Sequence, residues 1–212
     1  MKKICCVLLA LVMLFPFNIK AMELATNASS VIVMEPTTGE IIYERNSHER
    51  RHPASMTKIM TMLLVMEAIE KDIIKWEDMI TVSSNASSMG GSQILLETGE
   101  QMSVYDMFKG LAVASGNDAA VALAEKIAGT EEMFVKMMND RAKELGLQDT
   151  NFKNCHGLDE ANHYSTAYDM AIMAKELVKH TKIFEFTSIY EDYLRKGTDR
   201  SFWLVNTNKV VH

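Results

Sequence analysis

Hydrophobic and polar positions change period several times along this chain, and the changes mark its elements. Between Ser29 and Asn46, Val31, Val33, Ile41 and Tyr43 alternate with other residues on either side of Pro36 to Gly39. Period-two alternation flanking a Pro/Gly turn predicts a small hairpin. The polar stretch His48 to Pro53 follows. Proline disfavours helical backbone in the residue before it and suits a first helical turn, so a helix is expected to begin near Ser55. That helix carries Ile59, Met60, Met62, Leu63, Leu64, Met66 and Ile69, which fit no single narrow stripe. A helix that is apolar on nearly every side belongs in the middle of a protein.

From Trp76 to Gly99 the pattern breaks into loop and short pieces, with Ser83 to Gly91 rich in Ser, Asn and Gly. Helical signals then dominate. Ser103 and Asp106 have capping-box-like spacing ahead of Met107, Phe108, Leu111 and Ala112. After the break Ser115-Gly116-Asn117, a second helix is expected from about Asp118 to Ile127. Thr130 can cap a third, with Phe134, Met137, Met138 and Ala142 inward and Gly146 near its end. Thr166 and Asp169 repeat the capping spacing before Met170, Ile172, Met173 and Leu177. Trp203, Leu204 and Val205, and then Val210 and Val211, read as strand material. The chain stops inside that pattern, and a sheet edge left there would have unpaired backbone groups, so the domain is expected to be cut short at its C-terminus.

With 212 residues the chain can bury one good core, which implies one domain or most of one. Its first residues stand apart. Lys2 and Lys3 precede the apolar run Ile4 to Phe15, too short to span a bilayer comfortably, and small or polar residues follow up to Ala21. This reads as a signal peptide over residues 1–21, with a cut after Ala25 as the alternative, leaving 22–212 as the exported part. A retained N-terminal anchor is the competing reading. Cys5 and Cys6 would leave with the leader, so Cys155 is the lone cysteine of the exported part and no internal disulfide can form. Its neighbour His156 does not make it a nucleophile, because nothing nearby in the sequence supplies an orienting group; a structural cysteine is expected.

Charge and motif content narrow the chemistry. A net charge of −6 excludes nucleic acid as a partner, since phosphate binding needs a concentrated basic surface. The same charge gives little attraction to an anionic membrane, so any membrane attachment is expected from the leader or from sequence beyond His212. His48, His52, His156, His163, His180 and His212 show no metal-ligand spacing, and no glycine-rich phosphate loop is present. No cofactor is therefore expected. The methionines recur at helical positions and read as core filling.

Two segments can carry catalysis. In Ser55-Met56-Thr57-Lys58, three residues of separation at a helix start put Ser55 and Lys58 on one side, one turn apart. A serine hydroxyl is a poor nucleophile until a base stands beside it. The helix N-terminus and burial both disfavour the lysine cation, which pushes Lys58 toward the neutral form a base requires. The N–H of Ser55 can help hold an oxyanion. The competing reading is Ser55 as a plain N-cap with Lys58 in solvent. In Ser115-Gly116-Asn117, a hydroxyl and an amide on a tight loop can face a cleft, Ser115 passing a proton and Asn117 binding a substrate amide. Here the competing reading is a helix boundary capped by Asn117 or Asp118. Ser83 to Gly91 can border a site but reads first as loop.

Taken together, these residues resemble a known family. Pro53-Ala54-Ser55-Met56-Thr57-Lys58-Ile59-Met60-Thr61 is similar to the first motif of the serine D-alanyl-D-alanine carboxypeptidases, the low-molecular-weight penicillin-binding proteins. Ser115-Gly116-Asn117-Asp118-Ala119-Ala120 is similar to their second. Residues 84–92, His156-Gly157-Leu158-Asp159 and Tyr164-Ser165-Thr166-Ala167-Tyr168-Asp169 also look like the family.

The resemblance implies an α/β domain of the serine β-lactamase and DD-peptidase type, a sheet packed against a helical layer, with residues 22–212 its N-terminal part. It implies acyl transfer from a peptidoglycan stem peptide to Ser55, with Lys58 as base, Ser115 as proton shuttle, Asn117 positioning substrate, and β-lactams as inhibitors. The family's third motif, Lys-Thr-Gly, has no counterpart: Lys196-Gly197-Thr198 has the wrong order and comes too early. The 212-residue chain alone is therefore expected to be inactive or poorly folded. A class A β-lactamase would show Ser-Asp-Asn and a Glu-x-x-Leu-Asn loop, and neither is present. A non-catalytic peptidoglycan-binding module is the other alternative, against which the intact Ser55 and Lys58 stand.

Overall fold

The first alternating stretch pairs as its pattern requires. In the computed structural model, which describes residues 27–211, β1 (Val31–Met34) and β2 (Ile41–Arg45) run antiparallel with Val31 opposite Arg45. The expected leader, with Cys5 and Cys6, lies outside the described residues. Glu35 closes the turn: its carboxylate accepts from the backbone N–H and the hydroxyl of Thr38, which holds its pKa down at about 2.

After Pro53 a 3-10 turn over Ala54–Thr57 leads into α1 (Lys58–Glu70). Met60, Thr61, Leu63, Leu64, Val65, Met66 and Ala68 are all buried, and these positions cover every face of the helix. It is the central element: α3 (Val104–Ala114), α4 (Asn117–Ala128), α5 (Glu131–Glu144) and α6 (Ala167–Leu177) all pack against it. A fully buried side chain such as Leu63 contributes roughly 1.5–3 kcal/mol relative to leaving it exposed, so the apolar surround is what holds α1 in place.

Three of the surrounding helices start where their caps were legible. Ser103 Oγ accepts from Asp106 N at 3.1 Å, Thr130 Oγ1 from Met133 N at 3.2 Å and Thr166 Oγ1 from Asp169 N at 3.0 Å. Each satisfies one otherwise orphaned helix N–H, worth about 1 kcal/mol. Helix α4 differs, because its N-cap is Gly116 and carries no side-chain cap.

The stretch expected as loop and short pieces holds β3 (Met79–Thr81), α2 (Ser84–Ser87) and, just after it, β4 (Gln101–Ser103), which pairs antiparallel with β3. Each of these strands buries one side chain, Ile80 or Met102, too few to set a readable period. Two further elements come as additions. One is α7 (Ile183–Thr187), pinned to α3 where Phe186 meets Trp76 and Phe108. The other is β5 (Glu191–Leu194), whose charged start hides a strand that pairs with β6 (Phe202–Val205).

Val210 and Val211 are not strand. They lie in a 3-10 turn over Lys209–Val211, with Val210 89 % exposed. Asn206 Oδ1 accepts from Asn208 N, and Asn208 Oδ1 from Val210 N, so two local side-chain turns bend the backbone off the extended path.

The fold thus mixes helices and strands as expected. Its described strands form three two-stranded ladders, β1 with β2, β3 with β4 and β5 with β6. The first lies against α6 and the last against α3, on the outside of the helical layer. Among the described residues no helix is long and apolar enough to cross a membrane.

Candidate active site

Ser55 sits on the 3-10 turn that opens α1, and its side chain is exposed. Lys58, one turn on, is 3 % exposed. Its Nζ stands 3.2 Å from Ser55 Oγ and donates to the carbonyl oxygen of His156 at 2.6 Å. Burial brings its pKa down to about 8, so roughly one molecule in ten carries the neutral amine at pH 7. Lys58 is therefore not a solvent cation, and Ser55 is not an N-cap: no side-chain cap closes either the 3-10 turn or α1.

The turn is held from one side by the segment 154–163. Thr57 Oγ1 and His163 Nε2 lie 2.8 Å apart, and Thr61 Oγ1 donates to Cys155 O at 2.6 Å. Ala54 takes φ 47°, a left-handed conformation uncommon outside glycine, and its carbonyl rests directly on Gly157. Gly157 has φ +93°, and a Cβ there would lie 1.9 Å from Ala54 O, so no other residue fits without moving the turn. Asn154 shapes this loop, its Oδ1 accepting from Gly157 N at 2.7 Å and its Nδ2 donating to Leu158 O at 2.9 Å.

These supporting residues escaped the sequence reading, although one signal was present. Thr57, Lys58 and Thr61 put three polar side chains on one stripe of an otherwise apolar helix, at spacings of three and four. A buried polar stripe must be answered by partners, and the 155–163 segment supplies them. Cys155 is structural as expected: it is fully buried, its thiol bonds Glu131 Oε1 at 3.3 Å, and burial with the Glu131 charge pushes its pKa well above the usual thiol value.

The second segment forms the break between α3 and α4. Ser115 takes φ 58° and ψ 34°, the left-handed region, and its Oγ is buried without a hydrogen-bond partner. Gly116, not Asn117 or Asp118, is the N-cap. Asn117 is 3 % exposed; its Nδ2 donates to Gly90 O and its N–H to Ser92 O, both at 2.7 Å. Asp118 accepts from the N–H groups of Ile94 and Leu96 at 3.1 Å. Asn117 and Asp118 thus anchor the loop 90–96, which is held from its far side by Arg195 on Ile94 O and Arg200 on Leu95 O.

The structure therefore joins Ser55 to Lys58 directly. Helix α1, which carries Lys58, packs on both α3 and α4, which flank Ser115 and Asn117. Among the described residues no hydrogen bond connects the two segments. Lys196 lies in the turn after β5 and pairs with Asp192 of that strand at 3.3 Å, which fits a turn rather than a site wall. A cavity of about 590 Å³ shares His156 and Leu158 with the supporting segment, but neither Ser55 nor Lys58 lines it. No group of His, Cys, Asp and Glu side chains among the described residues is placed to hold a metal ion.

An exposed serine thus stands beside a desolvated lysine at the head of a buried helix, on a mixed helix and strand fold. Residues 18–212 match the peptidase family described as D-alanyl-D-alanine carboxypeptidase, and the chain belongs to that family. It is 61 % identical to D-alanyl-D-alanine carboxypeptidase DacF of Bacillus subtilis, over 89 % of this chain and 49 % of the relative. It is 39 % identical to D-alanyl-D-alanine carboxypeptidase DacC of Escherichia coli, over 87 % and 49 %. The crystal structure of penicillin binding protein 6B from Escherichia coli superposes with a TM-score of 0.83 at 36 % identity, covering 92 % of this chain and 62 % of that one. The chain spans about half the length of these curated relatives.

Proposed function

We propose that this chain carries the nucleophile-bearing part of a serine-type D-alanyl-D-alanine carboxypeptidase, which removes the terminal D-alanine from peptidoglycan stem peptides through an acyl-enzyme on Ser55. The observation that carries the reading is the 3.2 Å approach of Ser55 Oγ to Nζ of the buried Lys58. His156 O takes one amine hydrogen, which turns the lone pair of the neutral amine toward the hydroxyl. Lys58 removes the serine proton as Oγ attacks the carbonyl carbon between the two D-alanines. The N–H of Ser55, at the start of the helical turn, holds the developing oxyanion.

Collapse of the tetrahedral intermediate breaks the C–N bond, and the leaving amine takes a proton through Ser115, whose hydroxyl has no competing partner. Asn117 lines the substrate on the same side. Water then hydrolyses the ester, with Lys58 again as base. A β-lactam acylates Ser55 by the same attack, but its amine stays tethered and the adduct persists.

Residues 1–21 act as the export leader, which places this chemistry outside the cytoplasmic membrane. The 22–212 part is the first portion of the catalytic domain.

Intact mass after incubation with penicillin tests the reading, on the protein and its Ser55→Ala variant. The expected result is one penicillin per chain in the wild type and none in the variant. An adduct that survives in the variant, or none in a folded wild type, overturns it.

A further inference from the structure

The residue that joins the nucleophile turn to its supporting segment is a histidine. His163 is 2 % exposed and lies outside the motif residues. Its Nε2 faces Thr57 Oγ1 at 2.8 Å, and its Nδ1 accepts the backbone N–H of Lys153 at 3.1 Å. The second bond fixes the tautomer: Nδ1 is the acceptor, so Nε2 carries the proton and donates it to Thr57. One neutral ring thus connects the 3-10 turn of Ser55 to the strand of backbone that supplies His156 O to Lys58 and Gly157 to Ala54.

Resting on the acylation reading above, we propose that His163, as the neutral Nε2–H imidazole, is a positioning residue for the Ser55 and Lys58 pair. It does not touch substrate. It sets the separation between the turn and the 153–157 backbone, and so decides whether Lys58 keeps both of its partners. Acylation requires that geometry within a fraction of an ångström, and a misplacement near 1 Å costs up to about a hundredfold in rate.

The same two bonds give the arrangement an acid limit. A second ring proton would put Nδ1–H against Lys153 N–H, donor against donor, and free the ring from the 153 backbone. The groups around the ring are Thr57 on the turn, the Phe152 edge, the Lys153 amide, the carboxylates of Asp159 and Glu160, and the imidazoles of His52 and His156. Burial holds His163 below the ordinary imidazole value, outweighing Glu160 and Asp159, so the ring is neutral at pH 7 and gains its proton only in acid.

Two protonations therefore oppose acylation as pH falls, the first on Lys58 below about 8 and the second on His163. The experiment is the second-order rate constant for penicillin acylation of Ser55 against pH, on the wild-type protein, with His163→Gln and Thr57→Val beside it. The wild type is expected to fall tenfold per pH unit below 8 and to fall more steeply than that where His163 gains its proton in acid. His163→Gln keeps a donor for Thr57 and does not titrate. It is expected to be about tenfold slower at pH 7 and to stay at tenfold per unit throughout. Thr57→Val cuts the link from the other side and is expected to lose a similar factor while its circular dichroism stays that of the wild type.

A wild type that never steepens overturns the proposal without recourse to any variant. So does an acid limb that persists in His163→Gln, or a Thr57→Val protein that acylates at the wild-type rate. Absence of any Ser55 adduct in folded wild type is a different failure: it sinks the acylation reading and this inference with it.

Discussion

Two serines begin the two motif segments, and the structure treats them in opposite ways. Ser55 is exposed, while Lys58 beside it and the threonines after it, Thr57 and Thr61, are hydrogen-bonded to the 154–163 segment, and Ala54 behind it packs on Gly157. Ser115 is left-handed, and its Oγ is buried without a hydrogen-bond partner. The first segment is stabilised by its surroundings. The second is held against its own preference by the helices on either side. The contrast suits the roles proposed for them: a nucleophile needs fixed geometry and open access, a proton relay needs an uncommitted hydroxyl, and the cost of leaving that hydroxyl unsatisfied falls on the fold.

The sharpest way to break the contrast is to remove Lys58, the proposed base. Lys58→Met keeps the length and the apolar fit of the stem but should lower penicillin acylation by 10²- to 10⁴-fold, measured by intact mass over time. Its pH behaviour adds a sign. Lys58 has a folded pKa near 8 against about 10.5 unfolded, so between those values the unfolded chain binds the extra proton and stability rises with pH. Urea denaturation at pH 8 and pH 10 should show a gain in the wild type that is smaller in Lys58→Met.

The next largest effect falls on the support rather than the chemistry. Gly157→Ala places a methyl 1.9 Å from Ala54 O and keeps a φ of +93° that alanine disfavours. It should cost about 1–3 kcal/mol of stability and reduce acylation by up to about a hundredfold, because the turn must shift. A variant that melts with the wild type and acylates normally would show that the turn is not braced there.

The smallest effect is the one that separates the two serines most cleanly. Ser115→Gly removes a buried unsatisfied hydroxyl and relieves the left-handed backbone, at some cost in unfolded-chain entropy. The net expectation is a protein more stable by about 1 kcal/mol with slower turnover of a D-Ala-D-Ala peptide. Ser55→Gly has no such stability gain to offer, since its hydroxyl is exposed and bonded. Paired denaturation curves decide whether the serine itself is the strained residue in the second segment only.

What the chain disclosed unaided was whatever depends on neighbours in sequence. The hairpin follows from period-two alternation around a turn, the helix starts follow from Ser103, Thr130 and Thr166 bonding an N–H three residues on, and Ser55 meets Lys58 because three residues make nearly one helical turn. The central place of α1 was legible too, because a helix with no polar face can go nowhere else. The misses have separate causes. The partner of β3 lies twenty residues away, β5 begins with two acids, and the Asx turns at Asn206 and Asn208 override two valines.

Only the tertiary structure decided that Lys58 donates to His156 O, that Gly157 abuts Ala54, that His163 meets Thr57 and that Ser115 meets nothing. Those contacts span about a hundred residues of chain or rest on one angstrom-scale approach. Local periodicity carries no information about either, because burial and partnering are set by which distant backbone the packed helices bring alongside.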